Sequence, residues 1–94
     1  MAAIEVETFT LVGGVSVEKF HSLDEAMQEW CYLNRQGLAR RTVAVDANGK
    51  FIVVTLFGKA SQADAGYRNY AGISKEWLAC IADGSTSHEV FSLF

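Results

Sequence analysis

The chain has 94 residues, half of them apolar and a fifth charged, with a net charge of −3. That length leaves no room for a second domain, the apolar content excludes intrinsic disorder, and the acidic balance argues against general affinity for nucleic-acid phosphates. No apolar run nears the roughly 18 residues of a membrane span, and the start lacks the basic, then apolar, pattern of a secretory signal. A single cytoplasmic domain over residues 1–94, with no membrane partner, is expected.

Ile4 to Val12 is rich in β-branched and aromatic residues, and Gly13-Gly14 can supply the positive φ angles of a tight hairpin. Val15 to Phe20 then reads as the returning strand. Glu5 and Glu7 share one side of the first strand and Ile4 and Val6 the other, which predicts a hairpin with one solvated face. Ser22 and Glu25 form a capping box that starts a helix. Its apolar face is Leu23, Ala26, Met27, Trp30 and Leu33, its polar face includes Asp24, Gln28 and Glu29, and Gly37 ends it.

Arg41 to Asp46 and Phe51 to Phe57 flank a turn at Asp46-Ala47-Asn48-Gly49-Lys50. A two-residue Asn48-Gly49 turn would pair Ala47 with Lys50, whereas a type I turn with Gly49 as a left-handed bulge would pair Asp46 with Lys50. The bulged form is preferred. It places Val43 and Val45 on the face of Phe51, Val53 and Phe57, and leaves Ala44 with Ile52, Val54 and Leu56 on the other. A strand apolar on both sides is one covered on both faces. Helices supply one cover, and a second subunit is expected on the other, through Ile52, Val54 and Leu56.

Residues 58–74 carry little pattern; a short helix from about Gln62 is possible, and a functional loop is best sought here. Ser74 caps a second helix with Trp77, Leu78 and Ile81 inward, Gly84 ends it, and His88 to Phe94 forms the last strand. The expected fold is therefore α+β, an antiparallel or mixed sheet of about five strands with two main helices on one face, in the order ββαββαβ. Without the first strand, the order becomes βαββαβ, that of a ferredoxin-like sandwich. In that fold the first strand is central and already has two neighbours, so it excludes the Gly13-Gly14 hairpin. The local hairpin signal is the stronger of the two.

Chemistry is sparsely marked. Cys31 and Cys80 fall on predicted helices among apolar neighbours and are expected to be free buried thiols. Together with His21 and His88 they lack the spacing of a nucleophile or a metal site, and Gly49 is misplaced for a calcium loop, so no catalytic residue, metal or cofactor is implied. Arg40 and Arg41 could grip a carboxylate or phosphate with Arg35 and Arg68, and Tyr67-Arg68-Asn69-Tyr70 has the composition of an interface. The binding candidates are thus Arg40, Arg41, Tyr67, Arg68 and Tyr70. Residues 1–34 carry −5 and residues 35–68 carry +4, which either steers a partner or draws the two segments together on folding.

With no catalytic equipment and more apolar strand than two helices can cover, the expected function is a non-enzymatic macromolecular interaction protein. It would be a homo-oligomer with a possible protein partner and no nucleic acid. The alternative is a small-ligand binder or simple enzyme with a pocket between sheet and helices, holding His21 or His88.

Overall fold

The computed structural model describes residues 1–63 and 72–94. The elements are β1 (Ala3–Phe9), α1 (Val17–Asn34), β2 (Leu38–Val45), β3 (Phe51–Phe57), a 3-10 turn (Ala60–Gln62), α2 (Ile73–Ala79) and β4 (Ser87–Ser92). The four strands form one antiparallel sheet in the order β2-β3-β1-β4. Phe20, Met27 and Cys31 of α1 and Trp77 of α2 join Phe9, Phe51 and Val53 of the sheet in one core, so both helices cover the same face. This is an α+β ferredoxin-like fold.

Among the described residues four strands replace the expected five, because residues 15–20 do not return as a hairpin. Ser16 is an N-cap with extended backbone, and its Oγ accepts from the Lys19 amide at 3.1 Å. Glu18 sits in the first turn, where the helix dipole favours an acid. The helix therefore begins at Val17, a turn and a half ahead of the Ser22 box. Ser22 instead donates its hydroxyl to the Glu18 carbonyl from inside the helix. Phe20, Asp24, Met27 and Cys31 are the buried stripe, at spacings of four, three and four. With no hairpin on it, β1 pairs with β3 on one side and β4 on the other, and the ferredoxin-like order prevails.

The faces of β1 are also opposite to expectation. Glu5 and Glu7 are 0% and 2% exposed and point with Ala3 and Phe9 toward the helices. Ile4 and Val6 lie on the face that no helix of the described residues covers. Directly paired residues share a face, so Ile4, Val6, Val54, Leu56, Ile52 and Phe91 form one apolar outer surface.

The β2–β3 hairpin takes the bulged form. Asp46 N–H donates to the Lys50 carbonyl at 2.9 Å, Gly49 has φ +85°, and Asp46 Oδ1 accepts from the Asn48 and Lys50 amides. Val43 faces Val53 and Val45 faces Phe51, as the pattern predicts. Trp77 is fully buried, but Trp30 is only half-buried and Leu33 is 76% exposed, because starting α1 at Val17 fixes a different inward stripe. The cap of α2 is Gly72 rather than Ser74, which is buried one residue inside the helix. Cys31 and Cys80 are free and buried. No helix among the described residues is long and apolar enough to cross a membrane.

Gly49→Val forces a β-branched residue into the left-handed region and is expected to cost about 1 kcal/mol or more, read as a lowered denaturation midpoint. An unchanged midpoint with the turn intact would contradict the bulge.

Candidate functional site

The inner face of the sheet is divided. One end carries an aromatic nucleus: Phe9 stacks on Phe51 at 5.6 Å, Phe20 meets both edge-on, Trp77 meets Phe9 edge-on, and Phe20 and Trp77 are tilted against each other. Beside it the register sets Arg41, Thr55, Glu5 and Val90 in one row across all four strands, and Val43, Val53, Glu7 and His88 in the next. Charged groups therefore enter the interior from three strands. Charge is tolerated there only with partners, since burying an unpaired ion costs several kcal/mol or more.

Arg41 supplies the first set of partners. Its Nη2 donates to Asp24 Oδ1 at 2.7 Å and its Nη1 to Asp24 Oδ2 at 3.1 Å, a bidentate pair with side chains 2% and 11% exposed. Asp24 Oδ1 also accepts from the Trp77 indole N–H at 2.9 Å. One carboxylate thus ties β2, α1 and α2 together. Arg41 Nη1 reaches Gln28 Oε1 at 3.2 Å, and the Arg41 amide donates to the Tyr32 hydroxyl at 2.9 Å.

These residues floor a groove of about 620 Å³ between α1 and the edge strand β2. Its apolar walls are Phe20, Phe51, Val43 and Val45, and Gln28, Tyr32 and Arg41 stand along it. His21 lies on its rim with Nδ1 3.4 Å from Glu25 Oε1, both side chains being largely exposed.

A second buried set lies on the same inner face, on the other side of Thr55 from Arg41. Arg35, the C-cap residue of α1, donates to both Glu5 oxygens at 2.9 and 3.0 Å, and its guanidinium sits 4.8 Å from the Phe57 ring centre. His88 Nε2 is 2.9 Å from Glu5 Oε2. Burial alone would raise the Glu5 carboxyl, but the bonds and charge of Arg35, joined by those of His88, outweigh it and hold the group below its ordinary value. Thr55, between Arg41 and Glu5, is fully buried, and its hydroxyl has no hydrogen-bond partner among the described residues.

Of the binding candidates read from sequence, Tyr67, Arg68 and Tyr70 lie outside the described residues. Arg40 and Arg41 both line the groove, but adjacent strand residues point to opposite faces, so Arg40 is exposed at its edge while Arg41 is buried on the inner side. The interface candidates Ile52, Val54 and Leu56 share the outer apolar surface. His21 is in the groove and His88 is not. Sequence reading missed Asp24, Gln28, Tyr32 and Glu5 as site residues, and it offered Arg35 only as a companion of Arg40 and Arg41, whereas Arg35 pairs with Glu5. Burial pushes the Cys31 thiol up, which makes it a poor nucleophile. Among the described residues no group of three His, Cys, Asp or Glu is placed to hold a metal ion.

No protein-family model matches the sequence, and no curated protein matches it. Solved structures do. SnoaB, a cofactor-independent oxygenase from Streptomyces nogalater, matches with a TM-score of 0.69 at 14% identity over 99% of this chain and 93% of its own. A Caulobacter crescentus CB15 protein designated, by inference, an antibiotic biosynthesis monooxygenase matches at 0.72 and 11%, over 99% and 90%. A dimeric ferredoxin-like protein of unknown function from Jannaschia sp. CCS1 matches at 0.70 and 8%, over 99% and 100%. At such identities the likeness shows the fold. The expectation of a non-enzymatic macromolecular interaction protein is corrected by these matches: two of the neighbours described above are named for oxygenase activity, which backs the alternative of a small-molecule binder or enzyme.

A carboxylate held below its ordinary value stabilises the fold above the unfolded-state pKa of about 4.3, and that stabilisation is lost as pH falls through the folded value. Glu5→Gln is therefore expected to lower stability by about 3 kcal/mol at neutral pH by leaving Arg35 without its charge partner. The gap to the parent should narrow as pH falls from the ordinary carboxylate value through the lowered folded one, where Glu5 itself becomes neutral. Denaturant titrations at neutral and acid pH measure both, and a gap independent of pH would contradict the assignment.

Proposed function

We propose that this chain takes a small, flat, largely apolar organic molecule into the groove between α1 and β2 and acts on it as an enzyme of the oxygenase kind. The groove carries this reading. At about 620 Å³ it falls within the range of small-ligand sites, about 300–1,000 Å³, and it combines aromatic and aliphatic walls with a few fixed polar groups. The reaction class comes from fold analogy to the oxygenases of like structure.

Val45 is 42% exposed, lies on the inner side opposite Phe51 and lines the groove, so a larger side chain there can fill the site without entering the core. Val45→Trp is expected to weaken 2-naphthol binding, followed by the probe's fluorescence, at least about tenfold. Its thermal midpoint should stay near that of the parent. Equal binding by parent and variant, or none by the parent, would contradict the groove as the ligand site.

The chain also works as a homodimer that buries the outer face of the sheet. Ile52, Val54 and Leu56, with Ile4, Val6 and Phe91, form an apolar surface that the chain's own helices leave open, and a two-fold contact closes such a surface with one self-complementary patch. The dimeric neighbour supports this reading. Light scattering should give about twice the 10.3 kDa chain mass. Val54→Glu should return it to the single-chain mass while it remains folded. A parent protein of single-chain mass at high concentration would contradict the dimer.

A further inference from the structure

The two edge strands are held to the protein in different ways. β2 sends Arg41 to Asp24, packs Leu38 and Val43 against the core and donates the Arg41 amide to Tyr32. The residues of β4 are all exposed, and none belongs to that core. β4 lies on β1 by backbone pairing, from Ser87 opposite Thr8 to Ser92 opposite Ala3. Among the described residues its side chains make a single hydrogen bond, between His88 Nε2 and Glu5 Oε2 at 2.9 Å. An ionised carboxylate can only accept, so Nε2 carries the hydrogen. Arg35 fixes Glu5 independently from the end of α1, which makes the acceptor rigid. The chain ahead of β4 is pinned as well. Ala82 N–H donates to the Thr10 carbonyl at 2.9 Å, and Ser85 Oγ accepts from the Thr10 amide at 3.2 Å and donates to the Ala82 carbonyl at 2.7 Å.

We infer that β4 is a strap that lifts from β1 as one unit about Ser85, with the His88–Glu5 hydrogen bond as its catch, while the rest of the fold stays closed. Backbone hydrogen bonds at a solvated edge are exchanged for bonds to water when the strand lifts, so each contributes little net, and no buried side chain of β4 opposes the motion. The catch is stronger, because its acceptor is an ionised carboxylate buried completely in the interior. Lifting β4 exposes the edge of β1 between Ala3 and Thr8 and opens the Glu5–Arg35 pair to water from the side of the sheet opposite the groove. β1 keeps its pairing with β3, and the Arg41–Asp24 pair is untouched, so the strap works independently of the groove. On the outer face, the edge position of β4 and the charged Glu89 beside Phe91 put the strap at the margin of the apolar surface, clear of Ile52, Val54 and Leu56.

Native-state hydrogen exchange, followed by NMR on the full chain, tests the strap. The amides that bond β4 to β1, on either strand, should exchange at one common rate, about a hundredfold or more faster than the amides that bond β1 to β3. His88→Val removes the catch, suits a strand and leaves Glu5 paired with Arg35. It should speed exchange across the β1–β4 ladder about tenfold and leave the β1–β3 amides unchanged. A β1–β4 ladder as protected as the β1–β3 ladder would overturn the inference. Rates graded along β4 from one end would do the same, since that is fraying and not the motion of a unit. So would a His88→Val variant that speeds both ladders equally or neither, and one that unfolds would show that the contact holds the whole fold and is no catch.

Discussion

Arg41 enters the protein interior from an edge strand and cannot shed its charge, so the structure around it has to supply a carboxylate. Asp24 does so from the buried stripe of α1, with both oxygens engaged and the Trp77 indole N–H on one of them. Three elements are thereby fixed relative to one another at a single point. The same guanidinium sets the Gln28 amide, and the main chain of the same residue sets the Tyr32 hydroxyl. The polar geometry of the groove thus follows from satisfying one buried cation.

A second consequence follows from the sheet. Placing Glu5 and Glu7 on the helix-covered side leaves Ile4 and Val6 outside, the reverse of an ordinary amphipathic strand. Arg35 and His88 meet the charge of Glu5 inside. Outside, the apolar surface has no cover from the helices of the described residues, which is why the proposed dimer is placed there. Interior polarity and exterior apolarity are thus two sides of one pleat.

Much of the fold was legible in the residues. The Asp46–Lys50 turn fixed the β2–β3 register, and Phe51 to Phe57 was bounded to the residue. The start of α1 was not, because Ser16 and Ser22 both resemble caps. The choice turned on whether Val15, Val17 and Phe20 alternate as a strand or join Asp24, Met27 and Cys31 as a helical stripe. Reading α1 from Ser16 would have exposed Asp24 as an acid inside the apolar stripe, which is the one local sign of a buried ion pair. Its partner was harder to see. Arg41 alternates with Val43 and Val45, but only the tertiary packing of α1 over β2 brings Asp24 within reach. The opposite charges of residues 1–34 and 35–68 hinted at it, and they are realised as Glu5–Arg35 and Asp24–Arg41. Tyr32 and Gln28 carried no sequence signal, since their roles depend on the orientation Arg41 imposes.

Nitrogen-15 NMR of the Arg41 guanidinium tests the central claim most directly. Held by Asp24 and Gln28 in the interior, its Nη–H groups should give separate, slowly exchanging signals. The Trp77 indole proton should be protected with them. A single averaged Nη signal, exchanging as rapidly as that of a solvent-exposed arginine, would show that Arg41 is not fixed and would remove the constraint on which the groove depends.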